Sequence, residues 1–274
     1  MTVAEMKKIK DFQMEIMDEV HKVCVENGLV YYIIGGTALG AVRHGGFIPW
    51  DVDIDIAMPR RDYEQFEKFS ATKLDGRYFL KNYKNTPKYS YPHARVGIKN
   101  TQLYDKLQDI NPKEEILPIY IDIFPLDNAP ADETLQQKQS KDINRIRKQK
   151  YIKHARCYRK DFKNLYIKKI LSLLLFWTDM NKLNAEFDAV CRRYEDVDTG
   201  LLCSMASHYK YSKQCMPASV YGKPQLIKFE NREYYAPEKL DDYLTRIYGD
   251  YMKLPPEEER QSNLELFTKV VFDK

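Results

Sequence analysis

The sequence predicts an α+β protein: a mixed β-sheet core flanked by helices over residues 1–130, then a mostly helical half over 131–274. Three observations predict it. A β-branched and aromatic run, Leu29 to Ile34, follows an amphipathic stretch and ends in a glycine pair. A segment of strict period two runs from Trp50 to Met58. Beyond residue 130, apolar residues recur mainly at helical steps.

The first element is a helix over 5–27, with Met6, Ile9, Phe12, Ile16, Val20 and Val23 or Cys24 on one face and Gly28 as its stop. Leu29 to Ile34 is a buried strand, and Gly35-Gly36-Thr37 opens a short helix. His44 to Pro49 is a turn, Trp50 to Met58 a strand ended by Pro59, and Asp62 to Ser70 a helix. Further strands are predicted at Tyr78 to Tyr83, Tyr89 to Lys99 and Ile116 to Phe124. Residues 131–163 are polar, basic and helical. Leu165 to Trp177 is apolar but too short to span a bilayer, so it is either a buried core helix or a segment lying in a membrane surface. Leu183 to Tyr194 forms a helix, and another starts at Pro237, is capped by Gly249 and cannot pass Pro255-Pro256.

With 274 residues, the chain can bury a full core without disulfides. A content of 43% hydrophobic and 31% charged residues excludes wholesale disorder. The N-terminus mixes charged and apolar residues, unlike a secretory signal. Five cysteines (24, 157, 191, 203 and 215), odd in number and without a C-x-x-C pair, point to a reducing compartment. The net charge of +4 hides an asymmetry: residues 138–169 carry thirteen Lys+Arg and two acids, so the rest of the chain is acidic. Such a segment suits anionic partners.

In Asp51-Val52-Asp53-Ile54-Asp55-Ile56 the carboxylates share one face and the apolar residues the other. Alternate strand residues lie about 6.5 to 7 Å apart, so these carboxylates repel unless they share a cation. Hard oxygen ligands suit Mg²⁺ or Mn²⁺, which in turn hold phosphates. The candidate third carboxylate is Asp122, a lone acid inside the apolar run Ile119 to Phe124; its other reading is a salt bridge to a buried arginine. Asp127, after Pro125, reads as a turn acid. Gly35-Gly36-Thr37, at a strand-to-helix turn, can offer backbone N–H groups to a phosphate. The stretch Gly35 to Gly40 is not a Walker A loop, because Ala41-Val42 follow where Lys-Ser/Thr is needed, and it lacks the G-x-G-x-x-G spacing of dinucleotide sites.

The glycine pair followed by an h-D-h-D-h strand (h, apolar) resembles the nucleotidyltransferase superfamily. The longer run from Gly35 to Ile56, with Met58 to Phe66, Ile121 to Asp127 and Tyr248 to Pro256, resembles the LicD family over nearly the whole chain. Val52 departs from that family's usual Asp, and Gln261-Ser262-Asn263 stand where histidines are frequent. The resemblance implies a nucleotidyltransferase-like core and transfer of phosphocholine from CDP-choline to a sugar of a cell-surface glycan such as teichoic acid or lipopolysaccharide. Fukutin-like relatives move ribitol phosphate from CDP-ribitol. It also implies that Asp53, Asp55 and Asp122 hold Mg²⁺ or Mn²⁺ and that Asp122 can take the acceptor's proton. Gly35, Gly36 and Thr37 would cradle phosphate, Arg43 and Arg95 would clamp it, and His44, Trp50 and Asp51 would line the substrate site. Tyr83, Tyr89 and Tyr91 either offer faces to a quaternary ammonium or belong to a tyrosine-rich core.

Competing readings are a true nucleotidyltransferase that transfers NMP, a D-x-D glycosyltransferase, and a non-catalytic binder of RNA or anionic membrane. No RNA-binding module is visible, and nucleic acid is not expected as a partner. The expected partners are a CDP-alcohol donor, a glycan or lipid-linked sugar acceptor, and an anionic membrane touched through 138–177. The expected location is cytoplasmic, peripheral on the inner face of the membrane.

Overall fold

Helix α1 (Val3–Glu26) opens the chain in the computed structural model, which describes residues 2–105, 116–154, 178–260 and 267–272. Thr2 and Glu5 cap it reciprocally. Its buried residues include Ile9, Ile16, Val20, Val23 and Cys24, the face read from their spacing. Then come β1 (Tyr32–Ile33), α2 (Gly35–His44), β2 (Asp55–Pro59), α3 (Arg60–Lys73), β3 (Tyr78–Lys81), β4 (Ala94–Ile98), β5 (Thr101–Asp105) and β6 (Tyr120–Asn128). The second half holds α4 (Glu133–His154), α5 (Met180–Cys191), β7 (Leu201–Cys203), α6 (Tyr211–Gln214), β8 (Cys215–Pro217) and α7 (Ala218–Tyr221). It ends in β9 (Gln225–Phe229), β10 (Arg232–Ala236), α8 (Leu240–Tyr248), α9 (Glu257–Arg260) and β11 (Phe267–Phe272).

The class is α+β, but the second half is mixed rather than mostly helical. Strand β7 extends the main sheet, β9 and β10 form a hairpin, and β11 pairs with β5 from the first half. These strands are short or partly exposed, so they lack the long apolar alternation that marks a strand in sequence. Part of the basic segment and all of Leu165 to Trp177 lie outside the described residues. Among the described residues, no helix is long and apolar enough to cross a membrane. The described part of the basic segment is the helix α4, which packs on α5. Two of its cations are spent internally: Arg145 pairs with Glu186, and Arg147 donates to the carbonyls of Met205 and Ser207.

Strand β6 is the hub of the main sheet, whose order is β1-β2-β6-β4-β3. It pairs in parallel with β2 and antiparallel with β4 and then β7. Pro125 sits inside it, where a break was expected. The β4 ladder ends at Ile123 and the β7 ladder begins at Asp127, so Pro125 falls in the gap, where that edge requires no donor. The expected strand over Trp50 to Met58 is also shorter than its alternation suggests. Only Asp55–Pro59 joins the ladder, because β1 offers just two residues, opposite Ile56 and Ala57. Residues 51–54 run beside the sheet as an extended lead-in, tied to it where the Asp122 N–H donates to the Ile54 carbonyl (2.9 Å).

Asp127 is not a turn acid. It is 2% exposed and accepts both Nε (2.6 Å) and Nη2 (2.9 Å) of Arg60, while Arg60 Nη1 reaches Asp188 at 3.0 Å. This bidentate pair joins the start of α3 to the end of β6 and to α5. Removing one partner of a buried ion pair strands the other, at a cost of about 3–5 kcal/mol. Asp127→Ala is therefore expected to lower unfolding stability by about that amount in urea titrations; a loss under about 1 kcal/mol would contradict the buried-pair assignment.

Candidate active site

Alternation along the lead-in survives even where the ladder does not. Val52, Ile54 and Ile56 are buried, while Asp51, Asp53 and Asp55 line the opposite side, toward open clefts. Gln13 of α1 holds this segment from behind. Its amide donates to the carbonyls of Val52 (2.7 Å) and Tyr120 (3.2 Å), a tie that substitutes for the missing strand neighbour.

The register then sets three charged residues in one row across the sheet. Asp55 lies opposite Asp122 in the parallel pair, and Asp122 lies opposite Arg95 in the antiparallel pair. Arg95 Nε donates to Asp122 Oδ1 at 2.6 Å, and His93 Nε2 lies 3.1 Å from the same oxygen. The salt bridge that was the other reading of Asp122 is thus present, and both contacts fall on Oδ1. Burial alone would raise the Asp122 pKa, but Arg95 and His93 outweigh it and hold the carboxyl well below the usual range. Asp55 has no such partner: burial, then Asp122 and Asp51, push its pKa well up. Asp53 faces the solvent of the cleft, yet the protein packed around it and the charges of Asp55 and Asp51 push it well up too. A dense negative patch of this kind favours a cation. Its hard oxygen donors suit Mg²⁺ or Mn²⁺. Among the described residues, no group of three or more His, Cys, Asp or Glu side chains is placed so that together they could hold a metal ion.

The diglycine at the start of α2 is shaped by these carboxylates. Gly35 adopts φ +57°, which favours glycine, and its N–H donates to the Tyr243 hydroxyl (3.0 Å). A Cβ on Gly36 would sit 2.7 Å from Asp51 Oδ2, so only glycine lets that side chain lie against the helix start. Thr37 Oγ1 accepts the Asp55 N–H (2.8 Å) and so fixes the first residue of β2.

Two clefts meet at the carboxylates. The first, of about 540 Å³, is walled by Gly36, Arg43, Trp50 and the segment from Tyr248 to Pro256. The second, of about 560 Å³, is walled by Tyr91, His93, Phe124, Lys150 and Phe187. Asp53, Asp55 and His208 border both. A third cavity, of about 770 Å³ along α4, contains none of the carboxylates, although His208 borders it as well. His208 stacks on Tyr209 (4.1 Å), and partial burial and then Arg147 lower its pKa, so the ring is neutral at pH 7.

The two predicted phosphate clamps are differently engaged. Arg95 lies between the rings of Tyr91 (3.5 Å) and Tyr120 (3.9 Å), covers one face of Tyr91 and serves Asp122. Arg43 donates to the carbonyls of Tyr251 (3.0 Å) and Lys253 (3.4 Å), joining α2 to the C-terminal wall of the first cleft. Trp50 lines that cleft beside Arg43, with His44 edge-on to its ring (5.7 Å). Tyr83 is engaged with Asp188, and Tyr89 is buried, so neither offers an open ring face in the second cleft.

The sequence pattern of the LicD/FKTN/FKRP nucleotidyltransferase domain matches residues 28–154. The chain is also 29% identical over 255 residues to the lipopolysaccharide cholinephosphotransferase LicD of Haemophilus influenzae, covering 90% of this chain and 91% of that protein. Residues 28–154 thus carry the pattern of the LicD family. It is 29% identical over 111 residues to human ribitol 5-phosphate transferase FKRP, covering 33% of this chain and 22% of that protein.

The matched stretch supplies the carboxylate row but not all of its surroundings. Gln13 precedes it, while His208 and Tyr248 to Pro256 follow it. Gln13 is concealed in sequence by the helix it belongs to, and His208 carries no motif. Glu230, in the β9–β10 turn at φ +55°, accepts the Phe47 N–H (3.0 Å) and donates its own N–H to the Gly45 carbonyl (2.7 Å). It thereby holds the turn that leads into the acidic segment. Gln13→Leu, which preserves bulk but leaves two carbonyls without a donor, is expected to lower stability by about 1–3 kcal/mol in urea titrations. An unchanged midpoint would show that the lead-in is held by other means.

Proposed function

We propose that this protein transfers a phospho-alcohol, phosphocholine from CDP-choline, to a sugar hydroxyl of a cell-surface glycan precursor and releases CMP. The observation that carries this reading is the row of carboxylates at the junction of two clefts, which gives two substrates a common reacting point. Similarity over nine-tenths of the chain to a lipopolysaccharide cholinephosphotransferase supports it.

The first cleft would take the donor, with its diphosphate beside Gly36 at the positive end of α2. The second would present the acceptor. Asp53, Asp55 and Asp122 would hold Mg²⁺, an ion that keeps several non-protein ligands and so needs no complete protein cage. When bound, the metal neutralises the diphosphate and stabilises the departing CMP. The acceptor oxygen forms a bond to the choline-bearing phosphorus as the bond from that phosphorus to the CMP oxygen breaks. Arg95 and His93 keep Asp122 ionised, which makes it a weak proton acceptor and a good anchor for positive charge. His208, neutral and bordering both clefts, takes the hydroxyl proton instead.

The deciding experiment is incubation with CDP-choline, Mg²⁺ and a glycan precursor, with CMP release followed by chromatography. Asp53→Asn and Asp55→Asn are each expected to lower release by at least about 100-fold. Because a carboxyl with a raised folded-state pKa costs stability at neutral pH, each variant should unfold at equal or higher urea than the metal-free wild type. Retained turnover in either variant overturns the assignment. Pyrophosphate and a nucleotidylated acceptor as products would identify a nucleotidyltransferase instead. His208→Gln is expected to lower kcat by about 100-fold or more while leaving the KM for the donor near its wild-type value; unchanged kcat removes His208 from proton transfer.

A further inference from the structure

The second cleft contains a positive charge that neither the fold nor the transfer chemistry uses. Lys150, on α4, is 6% exposed, and among the described residues its Nζ has no hydrogen-bond partner. A buried ammonium without a counter-ion is expensive, and the Phe187 ring 5.5 Å away compensates only in part. The charged neighbour that acts on it is Arg147, of like sign; the Cys191 thiol beside it is kept neutral by burial, and among the described residues no member of the carboxylate row acts on it. Arg147 cannot turn away, because Met205 and Ser207 accept its guanidinium hydrogens. Two cations are thus fixed side by side on the wall of a cleft, and one has its donors unused. His93, just before β4, also borders this cleft with Nδ1 buried and, among the described residues, unpartnered.

We infer that Lys150 anchors an oxyanion subsite in the second cleft, and that its occupant is a phosphate group carried by the acceptor. The inference rests on the transfer reaction proposed above, in which the donor's diphosphate lies in the first cleft against α2. Lys150 does not line that cleft. At about 560 Å³, the second cleft is large enough for a sugar with a charged substituent. The reacting hydroxyl would face Asp53 and Asp55, and the phosphate on the same or the adjoining sugar would meet Lys150. Such an ion pair gives a charge-assisted hydrogen bond and satisfies the buried ammonium. A neutral acceptor would leave that ammonium unpaired in the closed complex.

Titration of the metal-free protein with inorganic phosphate, followed by phosphorus NMR, tests the subsite without any turnover. Lys150→Met is expected to weaken phosphate binding by about tenfold or more, and Lys150→Arg to retain most of it. Lys150→Met should unfold no earlier than wild type, since it deletes an unpaired buried charge; if it does not fold, Lys150→Gln serves in its place. In the transfer assay, Lys150→Met is expected to raise the KM of a phosphate-bearing acceptor by about tenfold, leaving the donor KM and the KM of the same acceptor without phosphate unchanged. Equal phosphate affinity in wild type and Lys150→Met, or no phosphate binding by either, overturns the subsite. A raised donor KM overturns its assignment to the acceptor. If no phospho-alcohol transfer occurs at all, the proposed function fails while the phosphate titration still decides the subsite.

Discussion

Mutual repulsion among Asp51, Asp53, Asp55 and Asp122 is the constraint around which the rest of this protein is arranged. Burial and then the neighbouring carboxylates push the pKa of Asp53 and of Asp55 well up. The fold opposes the resulting spread from several sides. Thr37 fixes the backbone at Asp55, Gln13 fixes the carbonyl of Val52, and the Asp122 N–H fixes that of Ile54. Arg95 supplies the compensating positive charge on the neighbouring strand, with the His93 ring beside it on the same Asp122 oxygen. The helix start at Gly35-Gly36 receives two of the four side chains against its own backbone. Positioning and charge compensation are therefore separate tasks, carried by different residues.

The glycines of the first long motif are spaced by what presses on them. Gly36 clears Asp51, Gly40 clears the carbonyl of Gly46, and Gly46 clears the Glu230 carboxylate. In the last two cases a Cβ would approach within 2.3 Å. The helix α2, the turn after it and the β9–β10 hairpin thus form one closely packed stack leading into the acidic segment. The conformation of Gly35, at φ +57°, is a separate requirement of the backbone.

Much of this was legible in the sequence because it rested on periodicity. Strict alternation separated Asp51, Asp53 and Asp55 from Val52, Ile54 and Ile56, and a lone acid in an apolar run singled out Asp122. The partner of that acid was foreseen only as one of two readings, since register across strands is set by tertiary pairing that a single sequence does not display. The length of the acidic strand was overestimated for a related reason: alternation reports which way side chains point, not whether a neighbouring strand is present. Asp127 was misread because proline usually ends a strand, and its tolerance here depends on a gap between β4 and β7. Lys150 was submerged in a run of basic residues, most of which needed no individual explanation. The second half concealed its strands because each is short and several residues in them remain exposed.

The contact between Arg43 and the carbonyls of Tyr251 and Lys253 has a consequence for what counts as a unit. The stretch recognisable by family pattern, 28–154, ends about a hundred residues before the wall that Arg43 secures. It also begins after Gln13, the residue that braces the acidic segment from behind. An excised fragment with those boundaries would keep the carboxylate row but surrender the brace, His208 and one face of the first cleft. Boundaries drawn from shared pattern and boundaries drawn from mechanical integrity do not coincide in this chain, and dissecting it by the first would dismantle the second.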